Sequence, residues 1–354
     1  MSEVLDFENW TCPLPLRDYP NIVLAHGGGG RLSQELITNL IVPAFSSGDL
    51  DLDDAALLPR PAGRLAFSTD AYVVRPLFFP GASIAELAIH GTLNDLAMMG
   101  ARPLYLSVSF VIEEGFAMAD FARIVHRMGQ AARAASVRIV TGDTKVVERG
   151  AADQIFITTA GVGEVPDHLH LSPRQVAPGD VVLVSGTIGD HGMAIMSARE
   201  NLEFSSPIVS DSAALAPLVE AMLAVGGVAG GVKVLRDPTR GGVAASLTEL
   251  AEAGRFGVVL DEARLPIQPE VQAACEILGL DPLHVANEGK LVALVHPAQA
   301  GAVLAAMRAH PLGARAERIG VATELHPGLV SLRTTLGTHR VVPLPLGEQL
   351  PRIC

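Results

Sequence analysis

Two periods of hydrophobic spacing run along the chain, and they separate helices from strands. After an irregular opening of about 20 residues broken by Pro13, Pro15 and Pro20, apolar Leu32, Leu36, Ile37, Leu40 and Ile41 predict a helix. Arg64 to Ser68 reads as a strand with Thr69 and Asp70 at its end. Beyond Pro80-Gly81, Ser83 is placed to cap a helix carrying Ile84, Leu87, Ala88, Gly91, Asp95 and Met98 at spacings of three and four. Leu104 to Ile112 predicts an apolar strand, and Phe121, Ile124, Val125, Met128, Ala131, Ala132 and Ala135 an amphipathic helix. A short strand over Val137 to Val140 then ends in Thr141-Gly142-Asp143-Thr144-Lys145, and a β-rich run from Gln154 to Val162 closes this half. This order predicts a layered α/β or α+β domain with carboxylates at one edge of its sheet.

The prolines at 166, 173 and 178 mark a domain boundary. A second core begins with a strand at Asp180 to Ser185, followed by a glycine-containing turn, Gly186 to Met193, that holds Asp190 and His191. Asp211 or Ser212 caps a helix through Leu215, Leu218, Val219 and Met222, and Arg236 to Gly242 forms a loop that enters a helix from Val243 to about Ala253. Strands follow at Gly257 to Leu260, Leu291 to His296, Arg318 to Ala322 and Val330 to Arg333, with helices at Gln268 to Leu278 and Ala298 to His310. The division is therefore an N-terminal segment 1–45, a domain 46–165, a domain 166–340 and a tail 341–354.

Length supports two cores of this kind, since 354 residues is the size of two ordinary domains. The net charge of -12 argues against nucleic acid, whose phosphates call for clustered Lys and Arg, and suits carboxylates gathered around cations. Cys12, Cys275 and Cys354 stand far apart, indicating neither a disulfide framework nor a zinc site and agreeing with a cytoplasmic location. Glu3, Asp6 and Glu8 are unlike the basic start of a signal peptide, and the apolar stretch Met222 to Val232 is too short to span a bilayer.

The chemistry-bearing residues fall at element ends. Gly27, Gly28, Gly29 and Gly30, between His26 and Arg31, precede a helix, a setting in which backbone N–H groups cradle phosphate; a flexible linker would carry the same glycines. Asp49, Asp51, Asp53 and Asp54 crowd one segment that is otherwise an acidic surface loop. Asp95 falls on or beside a buried stripe, where a carboxylate needs a partner or a metal. Brought together, Asp53 or Asp54, Asp70, Asp95 and Asp143 are hard oxygen ligands suited to Mg2+, and Lys145 would offset phosphate charge. With the glycine loop this describes a site for ATP. At the far end, Pro343, Pro345 and Pro351 keep the last residues extended. They make an arm of about 45 Å at ~3.3 Å per residue that presents Cys354 as a tethered nucleophile, or a frayed end.

Ser68-Thr69-Asp70-Ala71-Tyr72-Val73-Val74, the segment His90 to Pro103 and Gly142-Asp143-Thr144-Lys145 resemble the aminoimidazole ribonucleotide synthetase (PurM-like) superfamily. Within it, His26 to Arg31, Gly186 to Gly192, Asp237 to Gly242, Asn287-Glu288-Gly289 and Arg352-Ile353-Cys354 resemble the HypE family of nickel–iron hydrogenase maturation proteins. The resemblance covers nearly the whole chain from about residue 20. It implies a two-domain PurM-like fold, α/β or α+β, whose N-terminal domains pair into a β-barrel in a homodimer, with a flexible C-terminal tail. It also implies an ATP-dependent carbamoyl dehydratase that converts a carbamoyl group on its own Cys354 into a thiocyanate. A HypF-like carbamoyltransferase would load that group, and a HypC–HypD-like iron-carrying complex would receive the cyanide. Carried over, Asp53 or Asp54, Asp70, Asp95 and Asp143 would hold Mg2+ around ATP with Asn94 beside them. Gly27 to Gly30 would close over the nucleotide, Lys145 would act on the transferring phosphoryl group, and Glu288 would take the protons. Asp190 and His191 would line the channel of the tail. The alternatives are a small-molecule phosphotransferase with the same carboxylates and a non-catalytic thiol carrier.

Overall fold

The computed structural model describes residues 19–46, 53–200, 207–226, 231–344, 350 and 353. Cys354, Arg352, Asp49 and Asp51 lie outside the described residues.

The predicted first helix is longer than its apolar pattern. It starts as α1 (Arg31–Leu36), passes through a π turn (Ile37–Ile41) and ends as α2 (Val42–Phe45). Its Leu36, Leu40 and Ala44 join the core of the N-terminal domain. That domain is built on a four-stranded sheet of β1 (Arg64–Tyr72), β4 (Arg102–Glu113), β5 (Arg138–Val147) and β6 (Ile155–Val165), in the order β1-β6-β4-β5. A small hairpin, β2 (Phe78–Phe79) and β3 (Ala82–Ser83), leads into α3 (Ile84–Met98), and α4 (Met118–Ala134) crosses over between β4 and β5. The Ser83 side chain accepts from the Ala85 N–H, the cap its sequence position predicts.

Both helices lie on one face of the sheet, and the other face is open. Phe67, Val162 and Tyr105 are register partners across β1, β6 and β4, so they share a face, and Phe67 there is 70% exposed. Helix α3 is buried almost all round because the second domain covers what the sheet does not, through α6 (Ala216–Gly226) and β8 (Val232–Arg236). Gly91 lets it approach the sheet, since a Cβ there would fall 2.3 Å from the Tyr72 hydroxyl.

The second domain carries a seven-stranded sheet in the order β13-β12-β9-β11-β7-β10-β8. Its remaining strands are β7 (Val181–Val184), β9 (Gly257–Asp261), β10 (Val292–Val295), β11 (Glu317–Thr323), β12 (Val330–Arg333) and β13 (His339–Val341). Its other helices are α5 (Asp190–Glu200), α7 (Gly242–Gly254), α8 (Pro269–Leu278) and α9 (Pro297–Ala309). Helices α5 and α8 belong to the same buried cluster as the N-terminal core, along with Leu350 and Ile353.

Three expectations change. Asp143 and Lys145 lie inside β5, because the strand runs through Gly142, whose missing Cβ leaves room for the Val108 carbonyl. Asp190 and His191 start α5 instead of sitting in a turn, since Gly189, at φ +84°, already makes the bend. Strand β8, which begins at Val232, has no counterpart among the predicted strands. No helix of the described residues is long and apolar enough to cross a membrane.

Candidate active site

A cavity of about 570 Å³ opens between the glycine loop, β5 and the segment around residue 55. Gly27 and Gly29 line it together with Asp53, Asp143 and Lys145, and Ile37 and Phe45 supply an apolar wall. Gly27 passes so close to β5 that a Cβ would fall 2.3 Å from the Val146 nitrogen. Ser33 ties the loop to α1, accepting from the Gly29 N–H at 2.9 Å and donating to the Ala25 carbonyl at 3.0 Å. Gly28, Gly30 and Asp54 stand outside the lining. Lys145 Nζ lies 3.5 Å from Asp143 Oδ2, a pair both of whose members are exposed and therefore weakly held and free to regroup around a ligand.

A second group of charges gathers where the two domains meet. Ser68 on β1 donates to Asp95 on α3 at 2.6 Å, and burial raises the Asp95 carboxyl pKa, with Asp70 pushing the same way. Asp237, just past β8, is pushed up to about 7 by burial and by Asp95 and Asp70. Glu288 is buried and its pKa stands well above the usual carboxylate range, first through burial and then through Asp211, Asp237 and Asp70, against which Arg240 works. Among the described residues its Oε1 has no hydrogen-bond partner. A buried acid without a partner in a field of carboxylates keeps its proton and stands ready to exchange it once cationic charge arrives.

The four aspartates predicted to converge thus divide into two sets within one chain. Strands β1 and β5 are the opposite edges of the sheet, which separates Asp70 from Asp143 by three strand spacings, roughly 14 Å. They also face opposite ways, since Asp143 pairs in register with Ser109 on the open face. Among the described residues no group of three or more His, Cys, Asp or Glu side chains is arranged to hold a metal. The donor chemistry of Asp53 and Asp143 around the cavity suits Mg2+, but the cage is incomplete in one chain.

Asn94 is not a cavity residue. Its amide is consumed in joining the domains, donating to the Ala213 and Glu288 carbonyls at 3.0 and 3.1 Å and accepting from the Leu215 N–H at 2.8 Å. Asp190 is likewise occupied, accepting from the Thr187 hydroxyl and from Gln268 Nε2 at 2.9 Å. His191 touches the tail, with Nε2 2.7 Å from the Ile353 carbonyl oxygen.

Sequence reasoning did not assign Asp211, Lys290 or Asp237 to the site. Asp211 Oδ1 accepts from the Glu288 N–H at 3.1 Å, and Lys290 Nζ lies 3.1 Å from Asp211 Oδ2 with both side chains largely buried. Gly289 packs against the Asp211 carbonyl, where an added Cβ would fall 1.7 Å from the oxygen. The Asp-Pro-Thr-Arg-Gly-Gly loop signalled Asp237, whereas Asp211 carried no local signal beyond a helix start.

The chain matches the AIR synthase related protein N-terminal domain over residues 52–165 and the corresponding C-terminal domain over residues 177–330. A curated relative, the carbamoyl dehydratase HypE of Bradyrhizobium diazoefficiens, is 57% identical over 332 residues, covering 94% of this chain and 95% of its own. A solved hydrogenase maturation protein HypE in complex with ATP superposes with a TM-score of 0.89 at 47% identity, over 94% of this chain and 99% of that one. A HypE chain solved in a HypE–HypF complex gives 0.77 at 46% identity, over 89% and 100%.

Proposed function

The chain belongs to the carbamoyl dehydratase HypE family of AIR-synthase-related proteins, and from that premise we propose that it is a hydrogenase maturation factor that uses ATP to dehydrate a carbamoyl group on its own Cys354. One observation carries the assignment to this chain's own residues. The buried Ile353 docks on His191, and Ser210, which hydrogen-bonds the same imidazole, adjoins the Asp211 that holds the Glu288 backbone. The residue after Ile353 in the sequence is Cys354, the group proposed to react.

The chemistry balances as follows. The amide oxygen of the S-carbamoyl group attacks the γ-phosphorus of ATP, the bond to ADP breaks, and the oxygen becomes part of a phosphate ester. The nitrogen then loses two protons, the carbon–oxygen bond breaks, and phosphate departs with the original oxygen, leaving a C≡N group on sulfur. A HypC–HypD-like iron complex receives that group as cyanide. Lys145 and Asp143 flank the cavity that suits the triphosphate, with Gly27 and Gly29 beneath it. Lys145 stabilises charge on the transferring group. Glu288 accepts a proton once approaching cationic charge favours its ionised form. Mg2+ would be held by Asp53 and Asp143 on the cavity side and by Asp70 and Asp95 on the other.

The division of those carboxylates supports a homodimer. The open face of the N-terminal sheet exposes Leu65 and Phe67, 64% and 70% accessible. A second copy laid on it buries these side chains, and edge β1 of one copy meets edge β5 of the other. Two half-sites then become one. A HypF-like carbamoyltransferase is the partner that loads the thiol.

The test separates this reading from a phosphotransferase with a free acceptor. Cys354→Ala should lose all carbamoyl-dependent ATP turnover while keeping nucleotide affinity. Turnover that survives the substitution contradicts the proposal.

A further inference from the structure

The backbone on either side of Glu288 is pinned, while its carboxyl is not. Its N–H donates to Asp211 Oδ1 and its carbonyl accepts from Asn94 Nδ2, each at 3.1 Å. Asn287 before it is wholly buried, donating its N–H and its side-chain amide to the Pro238 carbonyl and accepting from the Gly189 N–H at 2.8 Å. Beyond it, the Leu291 N–H donates to Ser185 Oγ and the Leu291 carbonyl accepts from the Ser185 N–H, both at 3.0 Å. The run 287–291 therefore cannot shift without breaking bonds to both domains. In its middle, among the described residues, Glu288 Oε1 is left without a partner. Buried polar groups are nearly always satisfied, and a fixed backbone that carries an unpaired carboxyl is what a general base requires.

Asp211, which holds the N–H, is itself held. Lys290 Nζ lies 3.1 Å from its Oδ2, with the two side chains 12% and 3% exposed. Among the described residues Oδ2 accepts no hydrogen bond of good geometry, so this contact works through charge. The Lys290 stem lies over Gly186, where an added Cβ would come 3.0 Å from Cε. Glu288 and Lys290 thus reach the same aspartate from positions two apart, one through its backbone N–H and the other through its ammonium. Gly289 between them leaves the space in which the Asp211 carbonyl sits. The exposed Lys145–Asp143 pair can regroup at little cost, whereas a buried pair that loses one member leaves an uncompensated charge, and the survivor is driven towards water. An Asp211 that moves takes its Oδ1 away from Glu288.

We propose that Asp211 and Lys290 are positioning residues for Glu288: the ion pair fixes Asp211, and Asp211 fixes the backbone that carries the Glu288 carboxyl. Their effect on the reaction runs through Glu288. This deepens the reading of Glu288 as the proton-accepting base and rests on it, while the hold itself can be measured on protein that carries neither a carbamoyl group nor ATP.

The experiment compares three variants of the full-length chain with wild type. Asp211→Ala removes the acceptor, Lys290→Met strands it, and the double variant Asp211→Asn/Lys290→Met removes both charges but keeps an oxygen facing the Glu288 N–H. Hydrogen–deuterium exchange of the Glu288 amide in unloaded protein should accelerate about tenfold in each single variant, the worth of one net hydrogen bond, and return most of the way to wild type in the double variant. In carbamoyl-loaded protein, single-turnover dehydration should slow about tenfold in the single variants and recover in the double, with nucleotide affinity unchanged throughout. The double variant, free of stranded charge, guards against a folding defect in the single ones. Unchanged exchange in both single variants overturns the proposal, as does a double variant as slow as either single one. A loss of nucleotide affinity in step with the loss of rate overturns it too, since that marks a general structural role. Wild-type protein that loads a carbamoyl group and never dehydrates it defeats the proposed activity instead, and the exchange rates still decide whether the pair holds Glu288.

Discussion

Burial among other carboxyls favours the protonated form of Glu288, whose pKa is raised well above the usual carboxylate range. Its usefulness as a base depends on charge arriving from elsewhere. Because its folded pKa is raised, the ionised, proton-accepting form grows as pH rises beyond the usual carboxylate range, and dehydration should speed up with it. Glu288→Gln should lower the single-turnover rate by about 10²–10⁴ and flatten that rise, measured as a pH–rate profile on carbamoyl-loaded protein. A profile unchanged in shape would move the base to another residue. The sequence singles out Glu288 only through the resemblance that its Asn-Glu-Gly run carries, and its role as base is a proposal. Asn94, expected beside the nucleotide, spends its amide on partners across the domain junction that local sequence does not announce. Asp211 was missed for the same reason in reverse, since its partners Glu288 and Lys290 are more than seventy positions away.

At the scale of elements, the cavity depends on a glycine loop pressed against a strand. The pattern of glycines announced a close approach to something, and for Gly27 the structure identifies that something as the β5 backbone. Gly27→Ala should therefore weaken nucleotide binding at least tenfold, as followed by calorimetric titration, because the new Cβ lies 2.3 Å from the Val146 nitrogen and the loop has to retreat. Binding at wild-type strength would show that the loop has room to spare. Helix positions were legible where an apolar stripe and a cap coincide, as at Ser83 and α3. Strand ends were not. Backbone pairing carries β5 through Gly142 to Val147, and nothing in local composition reports which residues a neighbouring strand will pair.

For the whole molecule, the separation of the aspartates is the feature that sequence spacing alone does not reveal. Scattered aspartates suggested a single cluster, and the strand order β1-β6-β4-β5 places Asp70 and Asp143 at opposite edges of one sheet. If two copies complete each other, a chain carrying Lys145→Ala and a chain carrying Asp95→Ala should each be inactive alone. Mixed and allowed to exchange, they should recover about a quarter of wild-type turnover, since half of the dimers are mixed and one site in each is intact. Phe67→Glu, on the exposed apolar face, should yield monomers by sedimentation and abolish this recovery. An active monomer would place both half-sites in one chain after all.

The most direct test of the central claim is mass spectrometry of the C-terminal peptide after incubation of the protein with its carbamoylating partner, carbamoyl phosphate and ATP. The account predicts that Cys354 first gains a carbamoyl group and then, only when ATP is present, loses the equivalent of one water to become a thiocyanate. A Cys354 that gains the carbamoyl group but never loses that water in the presence of ATP would contradict it.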